Sequence, residues 1–177
     1  LDLYIGIYKR YRKKWLKMFK HDFVYSIIEE FVEIDNKTKK LLNNIELKKD
    51  NENYNNFYNN NENILMKIIL DKLGFIFKKY KLTLNHCWLQ LYKRNDYHSL
   101  HAHFNTKKDY SFVWFIEGDK KSSPLKFYDV GFPIINCGNV KTIEFIPGKL
   151  LIFPGFLPHE VPLNKTNKRL IVSGNVI

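Results

Sequence analysis

Near residue 82 the apolar period of this chain changes from that of a helix to that of a strand, and this switch confines it to an α+β fold. Before it, Ile64, Leu65, Ile68, Ile69, Leu73, Ile76 and Phe77 recur at helical spacing. They predict a helix over 62–80, interrupted on its apolar stripe only by Lys72 and closed at Tyr80. After it come short strand-like runs at 83–93, 111–116, 125–128, 142–146, 149–153 and 169–176. Turn signals divide them at Gly118, Pro124, Gly131, Pro133, Gly138-Asn139 and Pro147-Gly148. So many short strands would leave many open edges. A closed or double-sheet arrangement such as a jelly roll removes them, with the N-terminal helices packed on one sheet. A length of 177 residues fits one domain, 1–177, divided into a mainly helical part at 1–81 and a jelly-roll core at 82–177.

The N-terminal part carries weaker signals. Residues 8–20 read as a basic helix with Tyr8, Tyr11, Trp15 and Phe19 on one stripe. Residues 23–28 read as a strand. Asp35 is placed to N-cap a helix running to about Leu47, with Leu41, Leu42 and Ile45 on one side. Residues 50–63, rich in Asn and without an apolar period, read as a surface loop. Position 1 is Leu rather than an initiator Met, which leaves residues 1–22 assignable to this fold or to a larger upstream region.

Composition narrows the function classes. An apolar content of 45% with 16% aromatic residues is that of a globular chain and excludes intrinsic disorder. Two cysteines, Cys87 and Cys137, cannot frame a disulfide scaffold, and the expected setting is a reducing cytoplasm. No apolar run is long enough to span a bilayer, and the N-terminus lacks the order of a signal peptide, so no membrane partner is expected. The formal charge of +11 is concentrated at Lys9, Arg10, Arg12, Lys13, Lys14, Lys17 and Lys20. That cluster reads either as a solvated helix face or as a contact for a polyanion.

The chemistry is concentrated in the histidines. His98, His101 and His103 lie within six positions, and on an extended chain His101 and His103 face the same side. His159 follows several strands later in IFPGFLPHEV. An HxH pair alone is weak. With a third, late His behind Pro-Gly punctuation it indicates a metal centre, for which imidazole suits iron, zinc, copper or nickel. His21 and His86 read as structural or surface residues, and Cys87 beside His86 points to the opposite strand face. Ten residues after His159, Arg169 opens an apolar strand, RLIV. A guanidinium there needs a carboxylate, from a bound ligand or from Glu160 or Asp129.

In this order the motifs resemble the Fe(II)/2-oxoglutarate-dependent oxygenases, and more narrowly a compact group of that superfamily common in phages and marine bacteria. The stretches that carry the likeness are Trp88-Leu89-Gln90, Asp96 through His103, Ser111 through Phe115, Leu125 through Asp129, Pro147 through Pro154, His159, and Arg169 through Asn175. They cover about residues 82–177. The resemblance implies a double-stranded β-helix with Fe(II) bound by His101, His103 and His159, which would also be the catalytic centre. It implies 2-oxoglutarate held at Arg169, with Tyr92 or Ser173 offering a hydroxyl, and molecular oxygen as the oxidant. Trp88, Gln90, His98, Trp114 and Asn175 are candidates for the substrate pocket. The superfamily's usual carboxylate ligand is replaced by His103. The centre is then three-His, or a carboxylate such as Asp96 or Asp109 substitutes, or oxygenase activity is lost.

The substrate implied is a protein residue, a nucleic acid or a small molecule, chosen by loops at 50–63, 94–100, 118–124 and 130–141. The setting implied is intracellular and phage- or virus-encoded. Two other readings stand beside this one. A cupin-like three-His metalloenzyme without 2-oxoglutarate would share the HxH, the Pro-Gly turn and the late His, but it leaves Arg169 unexplained. A non-catalytic basic binding module on a jelly-roll scaffold would explain the charge but not the histidines.

Overall fold

The computed structural model describes residues 26–57, 62–103, 109–128 and 140–177. The basic 8–20 segment, and residues 23–25 of the expected first strand, lie outside the described residues. The strand there is β1, Ile28–Phe31. It is followed by α1 (Asn36–Asn43), β2 (Lys48–Lys49), β3 (Tyr54–Asn55) and α2 (Glu62–Lys79). The strands after the period switch are β4 (Leu84–Tyr92), β5 (His98–His101), β6 (Tyr110–Glu117), β7 (Leu125–Tyr128), β8 (Val140–Ile143), β9 (Lys149–Pro154), β10 (His159–Val161) and β11 (Arg169–Val176).

Asp35 does cap α1: its Oδ1 accepts from the Thr38 N–H at 2.7 Å. The helix stops at Asn43 rather than near Leu47, because the Asn44 N–H turns back to the carbonyls of Leu41 and Leu42. Ile45 and Leu47 still pack against the core from outside the helix. In α2, Leu65, Ile69, Leu73, Ile76 and Phe77 are buried. Lys72, the break in the stripe, is bonded to Asp35 at 2.8 Å and ties the two helices together. That bond, with the Thr38 N–H, holds the Asp35 carboxyl down at about 2.

The C-terminus of α2 closes as a Schellman motif. Leu82 N–H donates to the Phe77 carbonyl at 2.8 Å and Lys81 N–H to that of Lys78 at 3.1 Å. Lys81 carries the left-handed conformation, φ 57°, at a position where glycine has no steric cost. Lys81→Gly is therefore expected to raise stability by about 1 kcal/mol, read as a higher denaturant midpoint at unchanged slope.

The strands form two antiparallel sheets. One has seven strands in the order β1-β9-β6-β11-β4-β3-β2, the other four in the order β5-β10-β7-β8. Alternation along the central strands divides the apolar residues into two cores. Leu89, Phe112, Trp114, Leu150, Ile152, Leu170 and Val172 face the α2 side. Tyr92, Val113, Phe115, Leu151, Phe153 and Ile171 face the four-stranded sheet, where Leu125, Phe127, Ile143 and Val161 meet them.

This parity corrects one assignment. Trp114 is not in the pocket. It stands opposite Val172 and Leu150 and is fully buried in the helix-side core. The residue before it on the strand, Val113, lines the cavity instead.

Other expectations need revision. The Asn-rich 50–63 segment is not only loop: Tyr54 and Asn55 pair with Leu91 and Gln90 of β4. Asn53 and Asn56 are buried, and Asn56 Oδ1 accepts from the Leu89 N–H at 2.7 Å. The part before residue 82 thus supplies three strands besides its helices. The expected 142–146 strand lies at Val140–Ile143, and the three-residue β10 was too short for any period to reveal.

Gly174 marks a close approach in the middle of the large sheet. A Cβ there would fall on the His86 carbonyl and 2.7 Å from Phe112 Cζ. Gly174→Ala is expected to destabilise by roughly 1–3 kcal/mol or more, measured by chemical unfolding.

Candidate metal and co-substrate site

His101 ends β5 and stands directly opposite His159 of β10 in the antiparallel register. Side chains at facing positions of adjacent strands lie close enough to share a ligand. His103 comes two residues beyond the end of β5, where its N–H donates to the Gly155 carbonyl at 2.7 Å and Gly155 N–H donates to that of Asp109 at 3.0 Å. This backbone bridge, rather than strand alternation, aims His103. One ring nitrogen from each of the three lies within 4.8 Å of the others.

The hydrogen bonds set the tautomers. His101 Nδ1 donates to the Ser99 carbonyl at 2.7 Å, and His159 Nδ1 to that of Leu157 at 2.8 Å. Both Nε2 atoms are left with a free lone pair, as a metal ligand requires. His103 is bonded to Asn175 and stacked beside Trp88 and His159. Asn175 in turn accepts from Ser111 Oγ at 3.1 Å.

Burial is the main force on the imidazoles. It pushes His103 down to about 4 and His98 down to about 3, with neighbouring rings adding to the effect. His101 and His159 are lowered for the same first reason. All four rings are neutral at pH 7, so a cation binding there displaces no proton.

His98 belongs to the cluster but not to the donor set. Its ring stacks on His101 with centroids 4.0 Å apart. Its Nδ1 faces two donors at 3.4 Å, Gln90 Nε2 and Tyr92 Oη, and its Nε2 faces Glu52 at 3.7 Å. Neither nitrogen is free to point at the other three rings. Of the carboxylates considered as a substitute ligand, Asp96 is spent on Lys49 and the Lys93 N–H, and Asp109 is not among the groups that converge.

Below the imidazoles a narrow shaft with about 20 Å³ of free space runs between the sheets, lined among others by Gln90, Tyr92, Leu125, Val161 and Ser173. Ser173 Oγ donates to Gln90 Oε1 at 2.8 Å, which orients the amide. Arg169 stands against Tyr92, its Cζ 4.8 Å from the ring centroid, with the Phe145 and Phe115 rings at 5.4 and 5.6 Å.

The guanidinium of Arg169 is fully buried. Its Nε donates to the Ser123 carbonyl at 2.8 Å; Nη1 and Nη2 are buried with no well-formed hydrogen bond among the described residues, although the Tyr92 hydroxyl is close enough to interact with the guanidinium, and Asp129 lies outside the described residues. Among the described residues no carboxylate pairs with it, and Glu160 is bonded instead to Tyr128 and Lys126. Burial lowers Arg169 to about 10 and pushes the Tyr92 phenol up. Arg169 therefore remains charged at neutral pH. An unpaired charge in an apolar interior is costly unless a ligand completes it.

Sequence reading missed the supports of this arginine. Asn164 is buried and takes the Ser123 N–H at 3.1 Å while donating to the carbonyls of Tyr92 and Thr166 at 3.0 Å each. It thus locks the Ser123 carbonyl in place for Nε. The cue was modest: two turn-forming residues, Asn164 and Thr166, shortly before Arg169. Glu52 and Asp50 were hidden in the Asn-rich segment.

A protein of two facing antiparallel sheets, with three imidazoles at one mouth and a buried arginine beyond them, has the architecture of the 2-oxoglutarate–Fe(II) oxygenases, a double-stranded β-helix fold. Known structures share that fold. An oxidoreductase of the 2OG-Fe(II) oxygenase family from Burkholderia pseudomallei aligns over 93% of this chain and 88% of its own, with TM-score 0.65 and 10% identity. The non-haem alpha-ketoglutarate-dependent epimerase SnoN from nogalamycin biosynthesis aligns over 90% and 79%, with TM-score 0.66 and 11% identity. The viral collagen prolyl hydroxylase from Paramecium Bursaria Chlorella virus-1, in its 2OG complex, aligns over 89% and 96%, with TM-score 0.59 and 12% identity. No family model matches the chain, and no curated protein matches it in sequence. At these identities the likeness shows the fold. Among the described residues no helix is long and apolar enough to cross a membrane.

Proposed function

We propose that this chain is an Fe(II)- and 2-oxoglutarate-dependent dioxygenase of the hydroxylase type, built on a jelly-roll core. His101, His103 and His159 hold the iron, and Arg169 binds the distal carboxylate of 2-oxoglutarate. The observation that carries this reading is the pair of buried, unpartnered Nη atoms on Arg169, a donor fork that matches a carboxylate in bidentate geometry. The donor chemistry fits both groups: three neutral imidazoles for a transition metal, and one retained positive charge for a dicarboxylate.

When bound, iron and co-substrate supply the oxidising power, coupling reduction of molecular oxygen to decarboxylation of 2-oxoglutarate and oxidation of the substrate. The chain's own residues bind and orient. Ser99 and Leu157 fix the tautomers of His101 and His159. The Tyr92 ring supports the guanidinium, and its hydroxyl adds a further polar contact. Phe127 and Phe153, packed on His159, keep water from its apolar side. With no carboxylate among the three ligands, the centre keeps one more positive charge than a two-His, one-carboxylate site, which favours a dianionic co-substrate. The free space of the shaft is smaller than the co-substrate, so lining side chains must shift when it binds.

The test is anaerobic titration with Fe(II) and then 2-oxoglutarate, watching for the weak visible charge-transfer band of the chelate. A saturable band is the expected result. Iron binding without a band would favour the cupin-like three-His enzyme, which the all-imidazole donor set also suits. No metal binding at all would leave a non-catalytic module.

A further inference from the structure

Above the imidazoles the shaft opens into a second, wider cleft of about 270 Å³. Its walls are Asp50, Asn53 and Asn55 from the β2–β3 segment, Phe57 just beyond it, and Trp88 and Asn175 from the large sheet. His101 and His103 form its floor, so a group seated there reaches the proposed metal directly. In a chain of formal charge +11, the described lining holds no Lys or Arg. Among the described residues, Lys49 is turned onto Asp96 and the Tyr54 ring, and Lys93 onto the same ring.

We infer that this cleft selects a substrate carrying an alkylammonium group, with Asp50 as the counter-ion and Phe57 and Trp88 as an aromatic corner. The inference rests on the oxygenase reading for what happens to the substrate, but not for its binding. Three features converge on a compact cation. Phe57 and Trp88 meet at 83° with centroids 5.1 Å apart, so two ring systems border one corner at right angles, an arrangement suited to cation–π contact. Asp50 is kept ionised by the N–H groups of Glu52 and Asn53, which hold it below the usual carboxylate range against the opposing effect of burial. It has no cationic partner among the described residues.

The spare valence of Asp50 is also specific. Its Oδ1 accepts from Glu52 N–H at 2.7 Å and Asn53 N–H at 2.8 Å, and its Oδ2 accepts from Asn55 Nδ2. One acceptor position remains, on Oδ2. That suits a single N–H of an ammonium and not the two-pronged contact of a guanidinium. Glu52, beside the cleft on His98 and Ser99, adds negative potential. A polyanion, by contrast, would meet a carboxylate and no compensating base.

The test is binding of three probes to the metal-loaded protein without 2-oxoglutarate: the N-acetyl methylamides of lysine, norleucine and glutamate. Saturation-transfer NMR and Trp88 emission report binding. The lysine amide is expected to saturate and the other two to bind at least about tenfold more weakly. Asp50→Asn should weaken the lysine amide by about tenfold. The exchange Asp50→Asn with Asn55→Asp moves the charge by one side chain and keeps their mutual hydrogen bond. It should recover affinity to within about threefold, which a merely structural role for Asp50 does not predict. Phe57→Leu, which leaves the turn intact, should also weaken the lysine amide.

Equal binding of the norleucine or glutamate amide overturns the inference. So does unchanged lysine binding in a folded Asp50→Asn, or no binding of any probe at millimolar concentration. If the lysine amide binds as expected while the iron–2-oxoglutarate band is absent, the oxygenase reading fails alone. If the band forms and the probes do not discriminate, the substrate class fails alone.

Discussion

Replacing Arg169 by Met is expected to make the protein more stable and to abolish its use of 2-oxoglutarate. Without co-substrate, the fold holds a fully buried guanidinium with two unsatisfied nitrogens. Exchanging a buried charge for an apolar side chain of similar volume commonly stabilises by about 1–4 kcal/mol. Here the loss of the Nε bond to the Ser123 carbonyl offsets about 1 kcal/mol of that. A net gain of up to about 3 kcal/mol should appear in unfolding of the metal-free protein. The same change removes a charge-assisted contact worth about 2–5 kcal/mol, so 2-oxoglutarate affinity should fall by roughly 30-fold or more. Adding 2-oxoglutarate should then raise the melting temperature of the wild type and leave that of the variant unchanged. A destabilised Arg169→Met, or a variant that still binds 2-oxoglutarate, would show that the arginine serves the fold and not a ligand.

The second large effect concerns the imidazoles. His101 is partly exposed and its removal opens no core cavity, so His101→Ala isolates the role of ligand. Loss of a ligating nitrogen should cost more than the 10–100-fold typical of changes to residues that only support a ligand. The expected result is a metal-free protein after dialysis, with near wild-type unfolding of the apo form. His159→Ala should lose metal equally and also lose stability, because His159 is buried among Phe127 and Phe153. His98→Ala is the contrast. Both its nitrogens are engaged away from the other rings, so iron should be retained within the 10–100-fold range. If His98→Ala empties the site as completely as His101→Ala, the donor set is four imidazoles and not three.

Much of this arrangement was legible in the residues. The switch of period at residue 82 separates helix from strand because α2 and the central strands are long enough to show several repeats. The positions of Trp88, Gln90 and Tyr92 on one strand, and of Arg169, Ser173 and Asn175 on another, follow from alternation, and these positions do face the inner side. Alternation could not exclude Trp114, which the resemblance offered for the pocket, since residues 112–116 form an unbroken apolar run on a strand buried on both faces and its parity cannot be read without neighbours. Val172 and Leu150 supply that reference only after pairing.

Local sequence determined what depends on near neighbours: the Asp35 cap, the extent of α2, the run of strands, and the presence of His101, His103, His159 and Arg169 in that order. Tertiary structure decided what depends on distant backbone. It set His159 opposite His101 in register and aimed His103 through the Gly155 bridge. It left the Arg169 fork unpaired, and it brought Asp50 and Phe57 from an Asn-rich stretch to the mouth above the imidazoles. Periodicity reports which way a side chain faces on its own element. Convergence on one point requires several elements to meet, and their registers are set by hydrogen bonds between strands as far apart in sequence as Ile28 and Ile152.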